Sequence, residues 1–378
     1  MLAKTSRSPL TLLIVAGGSG GHIFPAVSVM QILRRARPKW RLVLVMTRDP
    51  RDQRAMASLP DFMRDGHVHL ELTSRLPSHL IGRAASCLRL WTFGRQLMRT
   101  WQPSAVLGFG GWLSVPVLAA AKSRGIPILI HEQNVQPGRA NALLGHIADA
   151  IPVSFEETKR LWPHVAAKMV MTGNPIRFAD EPATTADAHQ QWGVTDATRT
   201  VLAMGGSGGA AVINEALPAA CARLPREMQS QLLVIHLTGN HRTDDVLERY
   251  RALGIPARVI PFLDQMASAY RVADVVVARA GASTVAELAH FGCPAIFVPY
   301  PYARRHQWGN ARYVERSGGA VVFEQDGHLV PRLAQTLEEL LRAPQALETM
   351  RHRMRHVAQS RAAERMAHLL LTVAEGTQ

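Results

Sequence analysis

The pentapeptide Gly-Gly-Ser-Gly-Gly occurs twice in this chain, at Gly17–Gly21 and again at Gly205–Gly209. Each copy follows a short apolar run opened by a threonine, Thr11-Leu-Leu-Ile-Val-Ala and Thr200-Val-Leu-Ala-Met. A run with no polar alternation and glycines behind it predicts a buried parallel strand feeding a tight turn into a helix. Glycine gives that turn its backbone freedom and lets a ligand's phosphates approach main-chain N–H groups at a helix N-terminus. The copies stand about half of the 378-residue chain apart. They predict two similar α/β domains facing each other across a cleft; the competing reading is two unrelated glycine-rich turns.

Composition agrees with aliphatic parallel sheets rather than a sandwich, since 47% of residues are hydrophobic but only 6% aromatic. Cys87, Cys221 and Cys293 lie far apart and form no CxxC, which predicts a reducing compartment and no structural metal. Lys4, Arg7 and the apolar run Leu10–Ala16 imitate a weak signal peptide. That run is short and passes straight into the glycine loop, so it is read as the first strand. No stretch approaches the roughly 18–20 apolar residues of a membrane span.

Lys and Arg number 43 against 29 Asp and Glu, a formal net charge of +14. That balance implies an anionic partner: nucleic acid, an acidic membrane surface or phosphorylated substrates. From Arg75 to Trp101 arginines stand at 75, 83, 89, 95 and 99 with no acidic residue, interleaved with Leu80, Ile81, Leu88, Leu90, Trp91, Phe93, Leu97 and Met98. A basic helix bearing bulky apolar and Trp side chains suits docking on an anionic bilayer. The alternative is a helix packed on the sheet with a solvated arginine face. No helix-turn-helix, RNA-recognition or zinc-finger pattern supports a nucleic acid partner.

Strand patterns fall at Thr11–Ala16, Arg41–Thr47, Val68–Thr73, Ala105–Gly108, Ile126–His131, Ala150–Val153 and Lys168–Thr172, with helix starts near Pro25, His79, Leu113 and Gly138. Residues 179–197 are polar and read as a linker with a loose helix. A second series follows at Thr200–Met204, Leu232–Thr238, Arg258–Ile260, Val275–Ala278, Ala295–Pro299 and Ala320–Phe323, and long helical patterns run from Leu329 onward.

The first glycine loop fails the dinucleotide pattern in every frame, and its next strand ends Met46-Thr47-Arg48 without a ribose-binding acid. The second satisfies a relaxed form through Gly206, Gly208 and Ala211, again with no acid after His236-Leu-Thr-Gly. Walker A is absent. Phosphate binding survives these tests. The densest signal is Val277-Ala-Arg-Ala-Gly-Ala-Ser-Thr-Val-Ala-Glu-Leu-Ala-His-Phe-Gly-Cys-Pro294. There a strand turns at Gly281 and places Ser283 and Thr284 at a helix cap, whose N–H groups and dipole favour a diphosphate. Glu287 follows Thr284 by three residues, which fits either a capping box or a hydrogen bond to a ribose diol.

Together with these, Gly17-Gly-Ser-Gly-Gly-His22-Ile-Phe-Pro25-Ala, Gly110-Gly-Trp-Leu-Ser114-Val-Pro116, His131-Glu-Gln-Asn134, Gly173-Asn-Pro-Ile-Arg177, Gly205-Gly-Ser207, Ala280-Gly-Ala-Ser-Thr-Val-Ala-Glu287 and Pro299-Tyr-Pro-Tyr-Ala-Arg-Arg-His306-Gln307-Trp-Gly-Asn310-Ala occur in one order. In that order the chain resembles the MurG family of bacterial peptidoglycan N-acetylglucosaminyltransferases over nearly its whole length. The resemblance implies the GT-B fold, two Rossmann-like doubly wound parallel-sheet domains facing across a cleft. Residues 1–177 would form the acceptor and membrane-facing domain, with a C-terminal helix at about 360–378 packing back on it, and 178–359 the UDP-GlcNAc-binding domain. It implies inverting transfer of GlcNAc from UDP-GlcNAc to lipid I, undecaprenyl-diphospho-MurNAc-pentapeptide, giving lipid II without an obligatory metal or other cofactor. The expected setting is the cytoplasmic face of the bacterial inner membrane, on an anionic surface, beside other cell-wall synthesis proteins and without nucleic acid.

Residue by residue, the resemblance makes Glu287 a ribose ligand, Ala282, Ser283 and Thr284 the nucleotide-contacting turn, and Leu263 the backbone contact of the uracil. Ser207 and Arg177 would meet the diphosphate, and Asn134, His306 and Gln307 the sugar. In the first loop Ser19, Gly20 and Gly21 are carried over as donor contacts. Gly18, Gly20, Gly21, His22, Gly111 and Trp112 are carried over as acceptor contacts. Gly208 stands where the family usually has glutamine, and Trp112 where it usually has tyrosine. His22 is the candidate base, because imidazole accepts a proton near neutral pH and this one adjoins a phosphate-type turn; the alternative is a histidine capping the helix that follows. Three rivals stay open: an oxidoreductase with an unusual fingerprint, a non-catalytic sugar-nucleotide sensor, and a diacylglycerol glycosyltransferase.

Overall fold

Aliphatic runs without polar alternation need cover on both faces, which parallel sheets obtain from the helices that connect their strands. A computed structural model describes residues 10–17, 20–47, 67–70, 80–177, 184–206, 208–239, 242–301 and 306–376. The chain divides into two compact units, Met1–Arg177 with Arg361–Gln378, and Phe178–Ser360.

Among the described residues the first unit carries β1 (Thr11–Val15), β2 (Arg41–Thr47), β3 (His67–Leu70), β4 (Ala105–Gly108) and β5 (Ile128–Ile130), ordered β3-β2-β1-β4-β5 with every pair parallel. β6 (Ile151–Val153) and β7 (Met169–Met171) form a small parallel pair beside it, joined through bridges Leu129–Ala150 and Glu132–Val153. The strand order reverses between β1 and β4, so the loops after Val15 and Gly108 emerge side by side at the carboxyl edge, the usual ligand position of such sheets.

Helix Gly20–Ala36 lays Ile23, Ala26, Val27, Met30 and Leu33 on one sheet face. It begins five residues before Pro25, which the sequence pattern took for its first turn; proline favours that position, but here it lies inside the helix and forgoes one backbone bond. The closing helix Ala362–Gly376 adds Met366, Ala367, Leu370 and Ala374 to the same core, and Arg37 pairs with Glu375 at 2.8 Å.

On the other face, helix Leu80–Trp101 buries Leu90, Leu97 and Met98 against Val117, Leu118 and Ala121 of helix Ser114–Lys122. Gly94 permits the approach, since a Cβ there would lie 3.0 Å from Ala120 Cβ. The apolar stripe read as a membrane face is therefore largely core. What faces outward is Leu88, 62% exposed, with Arg89 and Arg99, while Arg95 stacks over Trp91 at 4.9 Å. Residues 71–79, including Arg75, lie outside the described residues, as does the Arg83 side chain.

The second unit orders β8 (Arg199–Met204), β9 (Leu232–Leu237), β10 (Ala257–Ile260), β11 (Val275–Ala278), β12 (Ala295–Phe297) and β13 (Ala320–Val322) as β10-β9-β8-β11-β12-β13, all parallel. Its reversal falls between β8 and β11, the counterpart of β1 and β4. The stretch read as a loose linker holds a firm helix, Thr185–Trp192, opened by a reciprocal Thr184–Asp187 capping box and tied by Trp192 Nε1 donating to Ser268 Oγ at 3.1 Å.

Candidate active site

In the first unit the chain leaves β1 and enters helix Gly20–Ala36 with Gly20 and Gly21 as its first residues; Gly18 and Ser19 lie outside the described residues. His22 follows in the first turn. Its Nδ1 donates to Gly17 O at 3.0 Å, which leaves the lone pair of the neutral ring on Nε2. Beside it runs the turn after β4, where Gly110 and Gly111 take φ of +93° and +81°. A Cβ on Gly111 would lie 3.5 Å from Gly17 O, and one on Gly110 would lie 3.7 Å from His22 Nε2. These conformations need glycine and bring the turn against the imidazole. Ser114 Oγ holds the turn by donating to Gly110 O at 2.6 Å, and Trp112 stands 47% exposed on it.

The loop after β5 is organised by Glu132, a residue the sequence motif contained without suggesting a role. Only 1% exposed, its carboxylate accepts from Asn134 N at 2.9 Å, Asn134 Nδ2 at 3.3 Å, Gly138 N at 2.9 Å and Asn141 Nδ2 at 2.8 Å. Gln133 Nε2 donates to Phe109 O at 2.8 Å and joins this loop to the Gly110 turn. The Gly173–Arg177 segment lies on helix Gly20–Ala36: Ser28 Oγ is 3.0 Å from Ile176 O, and the Arg177 guanidinium stacks over Phe24 at 4.5 Å.

His131 is fully buried with Nε2 3.2 Å from Ser154 Oγ, and burial pushes its pKa down to about 3. In the second unit His236, between Tyr250 Oη at 3.0 Å and Asn214 Oδ1 at 3.1 Å, is pushed down to about 4 by the same cause. Both rings are held neutral, so below pH 6.5 the unfolded chain binds protons that the folded chain refuses. The stability this provides is complete above pH 6.5 and is lost as pH falls toward the folded values. Urea midpoints measured at pH 7 and pH 5 should drop by the equivalent of about 2 kcal/mol for each histidine. An unchanged midpoint would contradict the neutral burial of these rings.

In the second unit the Gly205–Gly209 loop follows β8. Gly209 has φ +74°, and a Cβ there would fall 2.1 Å from Thr238 O. The loop thus rests backbone to backbone on the end of β9. Ser207 lies outside the described residues, and a Cβ on Gly208 would meet nothing within 4 Å. Helix Ala282–Phe291 is capped by Gly281, so Ser283 and Thr284 occupy its first turn rather than the cap expected of them. No Thr284–Glu287 capping box forms for the same reason. Glu287 instead accepts from Tyr270 Oη at 2.6 Å. Leu263 sits in the loop after β10 beside exposed Phe262, and His306 opens helix His306–Ser317. Gln307 follows, its Oε1 accepting from Tyr300 N at 2.9 Å.

A pocket of about 500 Å³ opens at the carboxyl edge of β8, β11, β12 and β13, lined by Gly205, Gly209, the start of helix Ala211–Cys221, Arg279, Tyr300, Gln307 and Gln325. That volume suits a small-molecule ligand. Arg279 is 9% exposed, donates from Nη1 to Val298 O at 2.8 Å and lies 5.4 Å from the Tyr300 ring centre. It brings positive charge to a pocket that two glycines line, so the place favours an anion. Arg279, Tyr270, Tyr300 and Gln325 carried no assigned role in the sequence. Arg279 had one local signal, a charged residue directly after an apolar strand.

Residues 12–153 match the glycosyltransferase family 28 N-terminal domain, and residues 200–367 its C-terminal domain. A protein of Halothermothrix orenii named UDP-N-acetylglucosamine–N-acetylmuramyl-(pentapeptide) pyrophosphoryl-undecaprenol N-acetylglucosamine transferase is 33% identical over 97% of this chain and all of its own. One of the same name from Azoarcus sp. is 37% identical over 97% of this chain and 99% of its own. The crystal structure of Acinetobacter baumannii MurG superposes with a TM-score of 0.76 at 29% identity, covering 96% of this chain and all of that one.

Proposed function

The chain belongs to glycosyltransferase family 28, and we propose that it transfers GlcNAc from UDP-GlcNAc to the MurNAc of lipid I, giving lipid II with inversion. What supports this most is near-full-length similarity to two transferases that bear this activity in their names. In this reading the second unit holds the donor. Glu287 takes the ribose, the Leu263 backbone the uracil, and the N–H groups of Ala282, Ser283 and Thr284 the diphosphate with Ser207. His306 and Gln307 take the sugar. The first unit holds the acceptor's diphosphate on Gly18, Gly20 and Gly21, with Gly111 and Trp112 as further acceptor contacts.

The acceptor's sugar hydroxyl gives its proton to His22 Nε2, the nitrogen left as acceptor by the bond to Gly17. Its oxygen forms a bond to the anomeric carbon while the bond to UDP breaks on the opposite face, the electron pair leaving with the β-phosphate oxygen. The fixed donors around that phosphate stabilise the developing charge. The test is UDP release with UDP-GlcNAc and other UDP-sugars, with and without a soluble lipid I analogue. Release with UDP-GlcNAc only when the acceptor is present is expected; equal release with another lipid acceptor would overturn the assignment.

We further propose peripheral attachment to the cytoplasmic face of the inner membrane. No helix among the described residues is long and apolar enough to cross a membrane. The net charge of +14 and the outward Leu88, Arg89 and Arg99 support docking on anionic lipid. Each such arginine is worth on the order of 1 kcal/mol near an anionic surface. Replacing Arg89 and Arg99 with glutamine should weaken partitioning onto phosphatidylglycerol vesicles about thirtyfold. Wild-type partitioning by the double variant would remove this face from the membrane contact.

A further inference from the structure

We propose that Asn141 is a positioning residue for His22: its carboxamide oxygen receives the hydrogen bond of the imidazolium formed when His22 Nε2 takes the acceptor's proton. This rests on the assignment of His22 as the base. Asn141, in helix Arg139–Leu144, is 3% exposed. Its Nδ2 donates both to His131 O at 2.9 Å and to Glu132 Oε2 at 2.8 Å. Two acceptors on one side fix which end of the amide is nitrogen, so the oxygen is turned away from them. That oxygen is buried and accepts no hydrogen bond. Folded proteins rarely leave a buried acceptor in this state without a use for it.

Oδ1 borders the same space as the reactive nitrogen. The point where a Cβ on Gly110 would stand is 3.7 Å from His22 Nε2 and 3.7 Å from both Nδ2 and Oδ1 of Asn141, of which only the oxygen is without a partner. Glycine at φ +93° keeps that space clear of a side chain. Before transfer both atoms are acceptors and cannot bond to each other. After the proton moves, Nε2–H is a donor, and Nδ1 is already spent on Gly17 O. The partial negative charge of Asn141 Oδ1 therefore attracts the protonated ring and not the neutral one, an interaction that strengthens as the reaction proceeds. The Glu132 carboxylate at the other end of the amide polarises it in the same sense. Of the titratable groups facing this arrangement, Glu132 supplies negative charge and His131 is held neutral by burial.

The experiment compares kcat, donor KM and the pH profile of kcat for Asn141→Ala in the wild-type and His22→Ala backgrounds, with UDP-GlcNAc and a soluble lipid I analogue. In the wild-type background kcat should fall about tenfold, the lower end for a hydrogen bond to a charged group. Donor KM should stay unchanged, and the acidic limb of the profile should move to lower pH. In the His22→Ala background Asn141→Ala should cost nothing further. Asn141→Ser keeps a donor for Glu132 while withdrawing the oxygen from His22, and should give the same readouts if alanine loosens the loop. Equal losses in both backgrounds, a raised donor KM or an unmoved limb would mean that Asn141 only shapes the loop. If His22→Ala alone costs less than tenfold, the base assignment itself has failed, a result distinct from the others.

Discussion

His22→Ala is expected to lower kcat by about 10²–10⁴-fold, the range for loss of a general base, while leaving UDP-GlcNAc affinity unchanged. The imidazole is well placed for that role because its protonated nitrogen is fixed on Gly17 O and the other borders the cleared space beside Gly110. The fold should survive, since His22 sits in the first turn of its helix, outside the buried stripe Ile23–Leu33. The check is steady-state kinetics across pH together with donor titration. A loss below tenfold with an unaltered pH profile would reduce His22 to a structural tie between Gly17 and its helix.

Glu287→Ala is expected to weaken UDP-GlcNAc binding by up to about a hundredfold, or roughly 1.5–3 kcal/mol, the scale of hydrogen bonds to a charged group. The Tyr270 hydroxyl, 2.6 Å from Glu287 Oε2, holds the carboxylate in place, so Tyr270→Phe should weaken binding in the same direction but less. Calorimetry on both variants distinguishes a ligand from a structural pair. Unchanged donor affinity in Glu287→Ala would take the residue out of the nucleotide site.

The sheets were legible because their strands are unbroken aliphatic runs, a pattern with few other uses. Helix starts were harder. Pro25 and the pair Ser283-Thr284 carry strong local preferences for a first turn or a cap, yet the chain enters helix at Gly20 and at Ala282 because the preceding glycine loops determine where each strand is left. The Thr184–Asp187 capping box was present in the sequence but masked by the polar composition around it. Helix Leu80–Trp101 was ambiguous in principle, since a stripe for the core and a stripe for lipid have the same spacing. At the candidate site the motif residues were visible singly. Their partnerships were not, because they depend on strand order: only the adjacency of β1 and β4 brings Gly17, His22 and Gly110 together. Asn141 and Glu132 gain meaning only from which atoms they leave unbonded or satisfied.

The closing helix has a consequence for biosynthesis. Met366, Ala367, Leu370 and Ala374 are buried in the same core as Ile23 and Leu33 of the first unit. A ribosome delivers the first 177 residues long before it delivers that helix, so the first unit emerges with part of one apolar face uncovered. The second unit is continuous in sequence from Phe178 to Ser360. The first unit is therefore completed only when residues 361–378 reach it, and a chain cut after residue 360 would lack the helix that closes that core.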